Sequence, residues 1–424
     1  MNLIFRVCAS FILTAFAVVA GAAEPVSDYW VYFGTSTEKT TEEMDKAGIA
    51  RSEGIYVGKY DAKTGDVSDI RLAMKALSSG YIATLPDKNL LYFVGALDGK
   101  NGWANVYACN VDPKTGNLTL INSEPTKGEG VCHVDVRSDG KFLSAANYSS
   151  GNFSVLKLND GGALGNVSAL FGRKGKGPNV RRQSHAYGHS SYFVKTNDGW
   201  RVFMSDLGSD KIYVAKIEEK TGELTQDSKI PFLATEPGAG PRHLAFKNDL
   251  RGRTVVFSIN ELDSTISAFR VDFKAGECRL IGSWSTIEEE YRQKLTDEES
   301  LVDGKEYLYG NKTAAIEAAT LENGKTIVYA TNRGQNTIVA FDATNIINDD
   351  SSEFPLLQRI STNGAFPRFM TLDPTGKRLL VSNKKSGSIY IFSIDQNSGL
   401  IAQVNKEPVK IAWVIAAGFV QRQD

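Results

Sequence analysis

Seven times along this chain one phrase returns: an aromatic or β-branched strand, an acidic turn closed by glycine, and a second strand. The copies begin at Ile55 (IYVGKYDAKTGDVSDI), Val106 (VYACNVDPKTGNLTLI), Phe153 (FSVLKLNDGGALGNV) and Ile212 (IYVAKIEEKTGELTQ). Three more begin at Ile266 (ISAFRVDFKAGECRLI), Ile338 (IVAFDATNIIN) and Ile389 (IYIFSIDQNSGLIAQV). Turns of the Asp-x-x-Thr-Gly kind need a residue tolerant of positive φ, and alternating apolar residues flank them, so each copy is a β-hairpin. A second hairpin precedes most copies, as at His133 (HVDVRSDGKFLSAANY), His243 and Phe369 (FMTLDPTGKRLLVSNK). Each unit therefore holds four strands, a to d, in up-and-down order. Units of roughly fifty-odd residues match the blade length of β-propellers, whereas stacked β-solenoid units are shorter and need end caps. The expected fold is all-β: a seven-bladed propeller with four antiparallel strands per blade.

The ends support this count. The first unit opens at Asp28 with DYWVYFG, which corresponds to strand b, so it lacks an inner strand. A spare apolar strand, KIAWVIAAGF, lies at 410–419. It is predicted to close the ring as strand a of the first blade, which would remove the open edges that invite aggregation.

Composition narrows the class. Of 424 residues 42% are hydrophobic, and no linker, low-complexity tract or charge block interrupts them, so residues 24–424 read as one domain. A net charge of −1 gives no reason to expect a nucleic-acid or anionic-membrane partner. Residues 1–23 read as a secretory signal: Arg6, an apolar run over 7–20, then Gly21, Ala22 and Ala23. An uncleaved anchor is the other reading, although the run is short for a bilayer span. The mature chain is expected to be periplasmic or secreted, and a monomer. Past Cys8, the odd number Cys109, Cys132 and Cys278 makes no disulfide framework; one pair or none remains open.

In such a meander the d-to-a and b-to-c connections emerge on one face. Near the starts of strands a stand Cys132-His133, His189, Arg242-His243, Glu317 and Arg368. At the b-to-c corners stand Asn147-Tyr148, Asp206, Asn260-Glu261, Asn332-Arg333 and Asn383. All are expected to rim one end of the channel. The chain has only four histidines, and three of them occupy the same blade position. His185 and His189 have a four-residue spacing, but in a Gly-bearing loop and not on a helix, so no metal is expected. The loop 171–189 adds Arg173, Lys174, Lys176, Arg181 and Arg182 to this face, a pattern suited to phosphate or carboxylate groups. Excursions at 35–54 and 286–313 reach the same face. The second opens with Thr-Ile-Glu-Glu, a capping-box pattern for a short helix over the mouth.

Over these residues the chain resembles the lactonase family of seven-bladed propellers, which includes propeller-type bacterial 6-phosphogluconolactonases and carboxymuconate cyclases. The phrases that carry the resemblance include GVCHVDVRSDGKFLSAANYSSGNFSV, KGPNVRRQ with His189-Ser190, GAGPRHLAF, NELDSTISAF, TNRGQNTIVAF and FPRFMTLDPTGKRLLVSN, spread from about Tyr32 to Gly399. The resemblance implies hydrolysis of a sugar lactone without metal or organic cofactor. Its channel-mouth positions match at His133, His189, Arg242, His243, Glu317, Arg333 and Arg368. The family's Pro-His-Ala-His is here Ala186-Tyr187-Gly188-His189, and its Pro-Arg-Asn-Phe is Pro367-Arg368-Phe369-Met370.

Opening a lactone needs an activated water, a donor for the carbonyl oxygen, and groups that hold the polyol. The expected base is Glu317 or His189, with Arg242, joined by Arg368, at the oxyanion. His133, Arg182, His243, Glu261, Asn332 and Arg333 are expected to bind the substrate. Two other activities would suit the same groups: a carboxymuconate cyclase, or a non-catalytic propeller that binds a saccharide or protein.

Overall fold

A computed structural model describes residues 28–97, 104–292 and 310–423. The proposed leader at 1–23 lies outside the described residues. Seven antiparallel sheets succeed one another along the chain, with inner strands Val414–Gln421, Ile82–Leu85, Val131–Val136, Gly188–Thr196, Pro241–Asn248, Lys312–Thr320 and Pro367–Leu372. We number the blades one to seven in that order. The propeller and its four-stranded blades are as the hairpin count predicts; blades four and seven each carry one extra short strand, Phe232–Ala234 and Val409–Lys410.

Closure is also as expected in kind, but its boundaries differ. The closing strand is Val414–Gln421, pairing antiparallel with Tyr29–Thr35 from Tyr29↔Gln421 to Thr35↔Val414. The first residues of the expected strand stay with blade seven, where Val409 and Lys410 pair with Ile389 and Ser388. Trp413, at φ 58°, turns the chain between the two sheets.

Apolar side chains fill the spaces between neighbouring blades. One cluster joins Trp30, Val57 and Val420 of blade one to Leu91, Phe93 and Tyr107 of blade two. Two recurring polar bolts fix the blades against each other. On the face of the c-to-d turns, a strand-b tyrosine reaches the next blade's turn glycine. Tyr32 Oη donates to Gly116 O (2.9 Å), Tyr92 Oη to Gly162 O (2.9 Å) and Tyr329 Oη to Gly399 O (2.8 Å). Glycine is required at Gly399 twice over: its φ is +78°, and a Cβ there would sit 2.5 Å from Ile327 Cγ1.

On the opposite face the bolt is an asparagine at the end of strand b. Asn147 Oδ1 accepts from Thr126 Oγ1 (2.7 Å), and Asn332 Oδ1 accepts from Thr286 Oγ1 (2.7 Å). Asn383 Nδ2 donates to Thr362 O (3.0 Å). Each partner follows strand d of the preceding blade. Thr286 is therefore a bolt and not the expected helix cap; helical residues begin at 289, and 293–309 lie outside the described residues. Cys109, Cys132 and Cys278 are all free thiols, which settles the pairing left open above.

Ring closure should control folding. A chain ending after Trp413 leaves blade one without an inner strand and Tyr29–Thr35 with an open edge. It is expected to lose its cooperative melting transition and to run as aggregate in size-exclusion chromatography, where the full chain elutes as a defined species.

Candidate active site

Six inner strands carry a register shift at the same end, and in four of them the shift falls at a sulfur-bearing or titratable side chain. Pairing jumps from Val131↔Asn147 to His133↔Ala146, from Gly188↔Asp206 to Ser190↔Ser205, from Pro241↔Asn260 to His243↔Ile259, and from Pro367↔Asn383 to Phe369↔Ser382. The extra residues are Cys132, His189, Arg242 and Arg368. A bulge re-aims the side chain it carries, so these positions converge although they lie far apart in sequence. In blade five the bulge is braced by Asp210, whose carboxylate accepts the Gly238 and Gly240 N–H groups at 2.8 Å each. Gly240 O then accepts the N–H of Glu261 (2.8 Å), holding Glu261 beside Arg242.

Glu261 is the hub. Its Oε1 accepts from Arg182 Nη2 (2.7 Å), and its Oε2 lies 3.0 Å from Arg242 Nε and 2.8 Å from Arg333 Nη2. His189 Nε2 stands 3.8 Å from the same oxygen. Burial alone would raise the Glu261 pKa, but Arg333, Arg182 and Arg242 outweigh it and hold the carboxylate well below its usual range. The histidines shift the other way. Burial, reinforced by Arg242, keeps His189 and His243 well below 6.5 and His133 down at about 3, so all three imidazoles are neutral near pH 7. Their rings touch in series, His189 to His243 at 5.5 Å and His243 to His133 at 5.3 Å between centroids.

The structure thus divides the predicted residues. His189, Arg182, Glu261, Arg333 and Arg368 line a cavity of about 830 Å3 on the face of the b-to-c corners. Arg368 has no hydrogen bond or ion pair among the described residues, and its Nε is buried without an acceptor. Of the basic loop, only Arg182 turns inward; Arg173, Lys174, Lys176 and Arg181 are exposed. His185 is exposed and packs on Tyr187 (4.0 Å between centroids).

Four expectations need correction. Glu317 is not at this rim. It lies five residues beyond Lys312 along an inner strand, and at that depth it lines the other half of the channel. His133 and His243 line that other half too, at the waist between the two cavities. Arg242 is 2% exposed and sits behind the cavity wall, with Nη1 on Ala314 O and Nε on Glu261. Asn332 is fully buried, its amide used by Thr286 and Thr337, because the recurring corner asparagine bolts blades together.

Tyr148, Glu38, Phe366, Lys384 and Trp413 also line the cavity. Of these only Tyr148 had a sequence signal, its place at a b-to-c corner. Glu38 pairs with Lys384 (3.2 Å) across the first and last blades, a contact that only the closed ring creates.

A closed propeller with a buried carboxylate, its guanidiniums and a neutral imidazole at one channel end is a protein built to hold a small polar molecule. The chain belongs to the Lactonase, 7-bladed beta-propeller family, whose pattern matches residues 30–415. It is 32% identical over 371 residues to a 6-phosphogluconolactonase of Bacillus subtilis, covering 88% of this chain and 95% of that one. A 6-phosphogluconolactonase of Formosa agariphila is 28% identical over 84% of this chain and 92% of its own. Among solved structures it resembles the periplasmic gluconolactonase of Pseudomonas aeruginosa at TM-score 0.73 and 25% identity, over 94% of this chain and 100% of that one.

Two measurements probe this arrangement. Glu261→Gln removes one charge from a buried network and leaves the guanidiniums uncompensated, so it should cost about 3–5 kcal/mol in denaturant unfolding. Burial raises Glu317 to about 8 while its unfolded value is ordinary, so folding binds a proton there. The stability linked to that proton is whole below the usual carboxylate range and lost as pH rises through about 8. A Tm series in pH should fall over this window, and fall less steeply in Glu317→Gln.

Proposed function

We propose that the protein is a sugar-lactone hydrolase, a carboxylic-ester hydrolase of the 6-phosphogluconolactonase type, and that the reaction takes place in the Glu261 cavity. The observation that carries this placement is a cavity-facing guanidinium, Arg368, with no counter-ion of its own among the described residues, lining the same cavity as the neutral imidazole of His189. Hydrolysis asks for a donor where negative charge develops and a base for the attacking water.

The lactone carbonyl oxygen lies against Arg368, which stabilises the oxyanion as water adds to the carbonyl carbon. His189 takes the proton of that water, and the imidazolium formed is stabilised by the Glu261 carboxylate 3.8 Å away. Collapse of the tetrahedral species breaks the ring C–O bond, and His189 returns the proton to the leaving ring oxygen. The product is the open hydroxy acid. Arg242 acts through Glu261, by holding it, and takes over none of the oxyanion role first expected of it. Among the described residues, six cationic side chains line the cavity (Arg182, Lys312, Arg333, Arg368, Lys384 and Lys385) against three acidic ones (Glu38, Glu129 and Glu261). That excess favours an anionic lactone over a neutral one.

Export belongs to the same reading. It rests on the composition of residues 1–23 and on the likeness to a periplasmic gluconolactonase. Among the described residues no helix is long and apolar enough to cross a membrane.

In a pH-stat assay the purified protein should open 6-phosphogluconolactone faster than gluconolactone. His189→Ala and Arg368→Ala should each lower kcat/KM by about a hundredfold or more. Near wild-type rates in both would remove this mechanism, and loss of a conjugated diene from a muconate would point to a cyclase instead. Because His189 is already neutral, kcat/KM should not fall as pH drops through 6.5.

A further inference from the structure

Below the histidine waist the channel opens into a second cavity of about 600 Å3, on the face that carries the a-to-b turns at Pro86 and Pro374. No residue lines both cavities. We propose that this half of the channel is a separate binding site for an uncharged polyhydroxylated molecule, a sugar or a polyol, held by Asp135, Glu317, His133, Tyr81, Tyr192 and Thr371.

The polar groups here are held in place with hydrogen-bonding capacity to spare. His133 is 1% exposed, and its Nδ1 accepts the Ser191 N–H (3.4 Å), which leaves the ring proton on Nε2. That Nε2 is buried and has no partner, so a donor stands ready on the cavity wall. The Glu317 carboxyl makes no hydrogen bond or ion pair among the described residues. Asp135 is oriented by the Phe193 N–H (2.8 Å). None of these groups has a part in hydrolysis at the Glu261 end.

Aromatic faces surround them. Tyr81 lies 4.3 Å and Tyr192 4.7 Å from the His133 ring, and Tyr192 meets Phe246 at 5.6 Å, centroid to centroid. Aromatic walls beside a few convergent polar groups suit a ring with C–H faces and an equatorial belt of hydroxyls. Charge narrows the ligand further. Burial lifts Asp135 to about 7 and Glu317 to about 8, so these carboxyls offer hydrogen-bonding groups more than fixed charge, which suits an uncharged ligand.

The test is calorimetric titration of the full chain with D-glucose and D-glucitol, with Mn2+ and 6-phosphogluconate as charged comparisons. The variants Asp135→Leu and Thr371→Trp remove a polar group and fill the cavity from different blades, and both are checked for folding by near-ultraviolet circular dichroism. Saturable polyol binding to the wild type, weakened at least tenfold in each folded variant while lactonase kcat/KM stays within about twofold, supports the site. The binding readout does not depend on turnover, so it stands or falls apart from the lactonase reading. Absence of saturable polyol binding, binding unchanged in both folded variants, or saturation by Mn2+ in place of the polyols would overturn it.

Discussion

Everything in this molecule depends on one strand pairing, Val414–Gln421 against Tyr29–Thr35. A propeller has no core of its own: each blade buries its faces only against its neighbours, so an unclosed ring exposes two sheet faces and two edges at once. Closure unites residues almost four hundred positions apart, and the loop entropy that must be overcome grows only slowly with that length. The same pairing puts Trp413 and Lys384 beside Glu38, so the cavity wall is completed by the step that completes the fold.

Within the ring, small irregularities do the chemical work. A regular strand would point alternate residues at the channel and send the intervening ones into the blade. Single-residue bulges break that alternation at Cys132, His189, Arg242 and Arg368 and turn each toward the same end. Glu261, opposite the blade-five bulge, then gathers three guanidiniums. One buried carboxylate can carry them only because each has a good hydrogen bond, and its low pKa is the sign that the arginines prevail over burial. The fourth arginine, Arg368, is left without a hydrogen-bond or ion-pair partner among the described residues.

The waist of His133 and His243 separates this electropositive half from one rich in carboxyl groups and aromatic rings. The two ends of a single channel thus offer opposite chemistry. Depth along the inner strand, a coordinate invisible to motif spacing, decides which end a residue serves. Glu317 shows the consequence. It matches its family position, yet a few steps of strand carry it past the waist.

The architecture was legible in the sequence because a propeller repeats: the hairpin phrase, its turn glycines and the missing first strand are local features, and local patterning is enough to count blades. The set of rim residues was partly legible, since His189, Arg182, Glu261, Arg333 and Arg368 do meet. Their roles were not. A corner asparagine looks the same whether it faces a ligand or, like Asn332, bolts one blade to the next. An arginine beside a histidine looks the same whether it faces the cavity or, like Arg242, stands behind its wall. By itself the sequence determined a seven-bladed ring and the face on which its unusual polar residues gather. Only the tertiary structure decided which of them point inward, how deep they sit and which charges are already spent. Bulge register and contacts across the closed ring set those things, and neither is written in any one segment of the chain.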